Sequence, residues 1–218
     1  MSRRLNEFVP FKKGLMSVRR MRGFSLVEML IVVAISMIAA VFATISLQPA
    51  LKQIKVTNGY NTVLMGLRRA REQAVAERRV YLVTFILPQT LTITQVATGT
   101  VTETLTLPND IAFDTEPGIP SSPTAPPITP DGFGSGGATG AIDFDVNVGA
   151  GGTNTAYFYP DGTVRDVNGI INNGVVYIAR PGEVLSSRAI TVWGLTGRVR
   201  GWRIYNNGVA GNYYWSQQ

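Results

Sequence analysis

The sequence predicts an α+β protein: a long N-terminal hydrophobic α-helix that spans a membrane, then a β-rich globular head of antiparallel sheets. Three observations carry this expectation. Residues 24–47, FSLVEMLIVVAISMIAAVFATISL, hold one charge, Glu28, in 24 positions. From 48 to 79, apolar residues recur at three- and four-residue steps, the spacing of one helix face. Beyond residue 80 come short segments rich in β-branched and aromatic residues, separated by turn residues.

The apolar run at 24–47 makes a helix about 36 Å long at 1.5 Å per residue, enough to cross a hydrocarbon core about 30 Å thick. A secretory h-region is shorter and ends at a small-residue cleavage site, whereas Gln48-Pro49 follows here. The chain of 218 residues has 20 Lys+Arg against 14 Asp+Glu, a formal net charge of +6. Residues 1–23 hold seven bases (Arg3, Arg4, Lys12, Lys13, Arg19, Arg20 and Arg22) and one acid, Glu7, so the whole excess lies there. By the positive-inside bias this segment stays in the cytoplasm and the rest goes outward.

The amphipathic stretch at 48–79 opens with Pro49, which predicts a kink or a short break. Its expected stripe is Leu51, Ile54, Tyr60, Val63, Leu64, Leu67, Ala70, Ala74 and Val75. Arg68, Arg69, Arg71, Glu72, Glu77, Arg78 and Arg79 fall mostly on the other side, and read as a solvated face with local ion pairs. Strands are expected at 80–86, 90–96, 101–107, 141–148, 155–159, 163–167, 175–179, 188–193 and 198–205, arranged as a sandwich or curled sheets. Pro160-Asp161-Gly162 and Asn173-Gly174 read as turns. Between the expected strands at 101–107 and 141–148, 12 of the 26 residues at 115–140 are Pro or Gly; a loop this long is either functional or disordered.

Composition excludes much chemistry. There is no Cys and no His, so disulfides, thiol nucleophiles, the usual zinc ligands and the commonest general base are absent. Lysine stops at Lys55, which removes Schiff-base, Ser-Lys and Walker A chemistry from the head. Gly132-Phe-Gly-Ser-Gly-Gly137 has no following Lys and is not read as a phosphate cradle. Ten carboxylates follow residue 80. A glycosidase pair or a calcium contribution from Asp143-x-Asp145 has no supporting spacing. The chain is expected not to be an enzyme and to need no cofactor or metal.

The junction Arg22-Gly23-Phe24-Ser25-Leu26-Val27-Glu28, followed by the apolar run, resembles the type III signal of type IV prepilins and type II secretion pseudopilins. The resemblance implies that a prepilin peptidase cuts after Gly23 and methylates the new terminus at Phe24. It also implies a leader at 1–23 (with Met16 and Met21 as alternative starts to Met1), a transmembrane and filament-core helix at 24–47, an amphipathic helix continuing into the head at 48–79, and a head at 80–218. Implied partners are other pilins or pseudopilins in a helical filament, the peptidase and an inner-membrane assembly platform. The implied location is the bacterial inner membrane, single-pass with the head in the periplasm, and then a periplasmic pseudopilus or a surface pilus.

Glu28 has two readings. Ser25 and Glu28 fit an S-x-x-E capping box, with an acid at the positive helix end. A carboxylate at the start of a membrane helix is also costly unless paired, and such residues usually have a function. In the resembled family this Glu pairs with the terminal amine of a neighbouring subunit, and both readings hold together.

Three further blocks resemble the GspH/FimT group of minor pilins and pseudopilins: Leu67-Arg-Arg-Ala70-Arg71-Glu-Gln-Ala74, Ala156-Tyr-Phe-Tyr-Pro-Asp-Gly-Thr163 and Gly197-Arg198-Val199-Arg200. Residues 184–218 hold Arg188, Arg198, Arg200 and Arg203 and no acid, with Trp193, Trp202, Tyr205, Tyr213, Tyr214 and Trp215 near them. Arginine with stacking aromatics suits single strands or phosphate backbones. DNA is therefore the alternative partner, through Arg198, Arg200 and Arg203, as in FimT-like members linked to DNA uptake. The other reading is an edge strand with its aromatics packed on the core or on a neighbouring subunit.

Overall fold

The computed structural model of the chain describes residues 24–121, 129–134, 140–146, 153–209 and 211–218. The basic segment 1–23, with Gly23 and the alternative starts, lies outside the described residues. The chain divides into two compact units, one ending at Ser46 and the other running Leu47–Gln218. Helix α1 is Leu26–Glu77.

In the first unit the described side chains are exposed on every side of the helix, and Phe24, Leu26 and Phe42 are 76%, 80% and 66% exposed. A helix apolar all round has no solvent-facing side and belongs inside a bilayer or among other helices. The described residues include one helix long and apolar enough to cross a membrane.

In the second unit α1 runs through Pro49 without a break, since a proline removes one helix hydrogen bond while the turns on either side persist. The buried line is Val56, Tyr60, Val63, Leu67, Ala70 and Ala74, with Leu64 beside it. Leu51, Ile54 and Val75 are exposed, contrary to expectation. Val75 stands one residue off that line, and Leu51 and Ile54 fall on its far side at 100° per residue. A Cβ on Gly66 would sit 2.7 Å from Leu105 and 3.1 Å from Leu91, so glycine lets the sheet approach the helix there. The helix ends at Glu77 rather than 79, because Arg78 takes a left-handed φ of 53° and Arg79 N–H donates to Ala74 O at 3.2 Å.

The strands are β1 Tyr81–Ile86, β2 Thr90–Gln95, β3 Thr100–Thr106, β4 Ile142–Asp143, β5 Thr155–Phe158, β6 Val164–Arg165, β7 Gly174–Ile178, β8 Arg188–Trp193, β9 Arg198–Asn206 and β10 Tyr213–Gln217. They form two five-stranded sheets, in the orders β3-β2-β1-β5-β6 and β10-β9-β8-β7-β4; the pairings are antiparallel. Of the expected strand at 141–148 the described residues, which end at 146, form only β4, and the one at 163–167 shrinks to β6. Strand β10 is not among the expected strands: Tyr213, Tyr214 and Trp215 figure in the sequence only as aromatics near the late arginines, but they pair with β9 from Tyr213↔Asn206 to Gln217↔Trp202.

Alternation along the second sheet separates two cores. Val176, Ile178, Ile190, Val192 and Val199 face the main core, which they share with the α1 line and with Val83, Phe85, Leu91 and Ile93 of the first sheet. Val175, Tyr177, Ala189, Ile204 and Trp215 face a second core. That core is closed by Ile119 and Phe133, both from the Pro/Gly stretch. The described parts of 115–140 are thus neither free nor irregular throughout: Pro130–Gly132 forms a short 3-10 turn, and the Trp215 indole donates to Pro120 O at 2.8 Å. Residues 122–128 and 135–139 lie outside the described residues.

Asn173-Gly174 is also corrected. Gly174 starts β7, and a Cβ there would lie 2.2 Å from the Phe144 ring, so this glycine makes room rather than a turn. The turn lies earlier, where Gly169 has φ 79° and Asn168 N–H donates to Asp166 Oδ1 at 2.9 Å.

Candidate functional site: the helix terminus and an arginine cleft

At the start of α1, Ser25 O accepts from Met29 N–H at 3.1 Å, so Ser25 occupies the N-cap and Glu28 the third helical position. Among the described residues no side-chain hydrogen bond involves Ser25 or Glu28. The reciprocal capping box is therefore not formed, and both Phe24 and Glu28 stand exposed. An unpaired acid in the first turn sits at the positive end of the helix dipole and presents its carboxylate outward. Gly23 lies outside the described residues.

The three blocks singled out in the second unit meet at one residue. Arg71 follows the fully buried Ala70 and precedes the fully buried Ala74, so it leaves the helix at the margin of its packed face. Its Nη2 donates to Thr196 O at 3.0 Å, in the turn between β8 and β9. The β5–β6 turn reaches the same guanidinium. Tyr159 O accepts from Gly162 N–H at 2.9 Å, and Gly162 has φ 81°. A Cβ on Gly197 would lie 2.2 Å from Gly162 O and 2.6 Å from Arg71 Nε. Only a residue without a side chain lets the two turns close on this arginine. The Arg-bearing face is therefore not wholly solvated with local pairs: Arg69 pairs with Glu103 of β3, and Arg71 is half-buried against two turns.

Around Arg71 opens a cleft of about 640 Å³, whose lining includes Arg68, Glu72, Trp193, Arg198 and Arg200. Arg198 and Arg200 alternate onto the same face of β9, as expected, but Arg203 has the opposite parity. It stands beside Arg188 in the pairing of β8 with β9, with its guanidinium 5.3 Å from the Tyr205 ring. Arg198 is exposed. Arg200 is committed: its Nη1 donates to Asp131 Oδ1 at 2.6 Å, and its guanidinium lies 5.7 Å from the Trp193 ring. Arg188 is buried at 2% exposure, and its Nη1 donates to Ser186 O at 3.1 Å and Ser187 O at 3.0 Å. Burial, then the neighbouring Arg203 charge, lowers its pKa to about 10, so it remains charged at neutral pH. The four late arginines therefore do not form one cationic strip.

Asp131 was not singled out by sequence reasoning, and Arg71 was named only within its helix block and as part of a solvated face. Asp131 lies in Pro130-Asp131-Gly132, a repeat of the Pro160-Asp161-Gly162 signature. The two aspartates act differently. Asp161 Oδ1 accepts from Thr163 N–H at 2.9 Å, and that bonding with Thr163 holds its pKa below the usual carboxylate range. The Asp131 side chain, 4% exposed, points inward and accepts from the Thr191 hydroxyl, from the Trp193 indole at 3.0 Å and from Arg200. The Trp202 indole in turn donates to Thr191 Oγ1 at 3.0 Å. One carboxylate thus ties the Pro/Gly stretch to β8 and β9. The signal for Arg71 is its place between two alanines on the buried line.

Among the described residues no group of three or more His, Cys, Asp or Glu side chains is placed to hold a metal ion. Asp143 and Asp145 come close, with Asp145 N–H donating to Asp143 Oδ1 at 3.0 Å. Burial first, and then Asp143, raises the Asp145 pKa to about 6.

Residues 18–44 match the family model for the prokaryotic N-terminal methylation motif. Among solved structures, the chain is similar to the type IV minor pilin FimU of Pseudomonas aeruginosa. That similarity has a TM-score of 0.40 and 14% sequence identity, and covers 70% of this chain and 89% of that one. No curated protein matches the chain. Residues 18–44 thus carry a prokaryotic N-terminal methylation motif.

Proposed function

We propose that this chain is a minor pilin or pseudopilin, a structural subunit of a type IV pilus or a type II secretion pseudopilus. The observation that carries the reading is the methylation motif at 18–44 on a helix whose described residues from 24 to 44 are exposed. Such a surface needs lipid before assembly and other helices after it. The motif and the apolar helix fit anchorage in the inner membrane; the charge bias of residues 1–23 supports a head on the periplasmic side.

In this reading the peptidase cuts between Gly23 and Phe24 and methylates Phe24, and Glu28 meets the terminal amine of a neighbouring subunit. Pairing removes the cost of carrying an ionised carboxylate at the membrane level, and it sets the stagger of one helix on the next. The domains follow as a leader at 1–23, a core helix at 24–47, its amphipathic continuation at 48–79 and a head at 80–218. The subunit's work is assembly rather than catalysis.

Membrane crosslinking with mass spectrometry tests it. Wild type should crosslink to pilin-type partners through the N-terminal helix. Glu28→Ala should insert and be processed normally but lose most of that crosslinking. Undiminished incorporation of Glu28→Ala would remove the pairing role, and an absence of pilin-type partners would remove the reading.

A further inference from the structure

We propose that the cleft around Arg71 binds a carboxylate on an acidic segment of a neighbouring protein chain; this rests on the reading of the protein as an assembled subunit. The cleft gathers Arg68, Arg71, Arg198 and Arg200 against one lining carboxylate, Glu72. Asp131 already occupies Nη1 of Arg200, and the carbonyl of Thr196 occupies Nη2 of Arg71. Yet Nε of Arg71 and Nε of Arg200 are both buried and have no hydrogen-bond partner. A buried guanidinium N–H without an acceptor costs roughly 1–3 kcal/mol, and both of these belong to arginines that line the same cleft. Arg68 and Arg198 stand exposed at the same cleft, where they supply charge.

The chemistry favours a single carboxylate over a nucleic-acid backbone. A phosphodiester chain needs a continuous row of cations. Here Asp131 offsets one arginine, Glu72 adds a negative charge, Arg203 lies on the other face of β9 and Arg188 is buried. A planar carboxylate matches the guanidinium edge, and Trp193 and Val199 in the wall suit an apolar residue beside it. An acidic side chain next to a hydrophobic one on a partner chain satisfies both features.

The test uses the full chain in detergent, with three probes: a capped peptide carrying glutamate beside phenylalanine, inorganic phosphate, and oligothymidylate. Binding is read by tryptophan fluorescence and calorimetry. The peptide should bind saturably, and Arg198→Glu, at an exposed position, should weaken it roughly tenfold or more with an unchanged circular dichroism spectrum. Arg68→Glu provides a second exposed variant with the same expectation. Oligothymidylate binding tighter than the peptide and lost steeply with salt would overturn the proposal in favour of nucleic acid. Phosphate binding as well as the peptide would overturn the carboxylate assignment, as would no peptide binding at all. Failure here leaves crosslinking through the N-terminal helix untouched, and normal crosslinking by Glu28→Ala leaves peptide binding untouched, so the two readings fail separately.

Discussion

Gly197 shows how one residue sets the geometry of the cleft. Its φ of 60° already disfavours an L side chain, and a Cβ would strike Gly162 O and Arg71 Nε. Gly197→Ala should therefore cost about 3 kcal/mol in chemical denaturation of the second unit. Gly182 has a similar φ of 83° but open space around it, so Gly182→Ala should cost only about 1 kcal/mol; equal costs would contradict the contact. Asp145 offers a pH test. Its folded pKa of about 6 lies above the ordinary aspartate value of about 3.9, so the folded state holds the extra proton between those values. Stability from this group is full below about pH 4 and is lost as pH rises through about 6. Asp145→Asn should remove that slope from a stability-pH profile. At this scale, Arg198 and Arg200 sharing a face was legible from their spacing. The Arg200–Asp131 pair was not, because nothing in a sequence shows which of ten late carboxylates folds back 69 residues to meet it.

At the scale of elements, the Pro/Gly stretch takes on a structural task. Composition marks it as unfit for a helix or strand, but Ile119 and Phe133 carry enough apolar surface to close the second core, and Asp131 locks the stretch to β8 and β9. Asp131→Ala removes three acceptor contacts and leaves a half-buried arginine charge without its partner. It should cost about 3 kcal/mol and expose the described segments 117–121 and 129–134 to limited proteolysis, read by fragment masses; a stable variant with those segments still protected would show that they are held by apolar packing alone. The helical stripe was legible as a period but not in phase. Leu51, Ile54 and Val75 satisfy the hydrophobic spacing loosely, whereas the true line runs through Val56. Strand β10 was hidden because three consecutive aromatics give no alternation, and only pairing with β9 reveals that Trp215 points inward and Tyr214 outward.

At the scale of the whole chain, the order of parts was the most legible feature. A basic segment, an apolar helix, an amphipathic continuation and a β-rich region each have their own composition, and the described residues follow that order from α1 to β10. What composition does not provide is the convergence of distant blocks on Arg71, since a helix end and two turns approach only when both sheets have packed. Charge also changes meaning here. The excess of +6 belongs to residues 1–23, and the proposed cleavage after Gly23 would leave a chain with no formal net charge.

That cleavage is the most direct test of the account. The chain should be produced with a prepilin peptidase, purified from membranes and its N-terminal peptide measured by mass spectrometry. The account predicts a mature chain that starts at Phe24 with a methylated amine, and an uncleaved precursor when Gly23 is replaced by a bulky residue. A mature chain that keeps residues 1–23, or one cut at another bond, would contradict it.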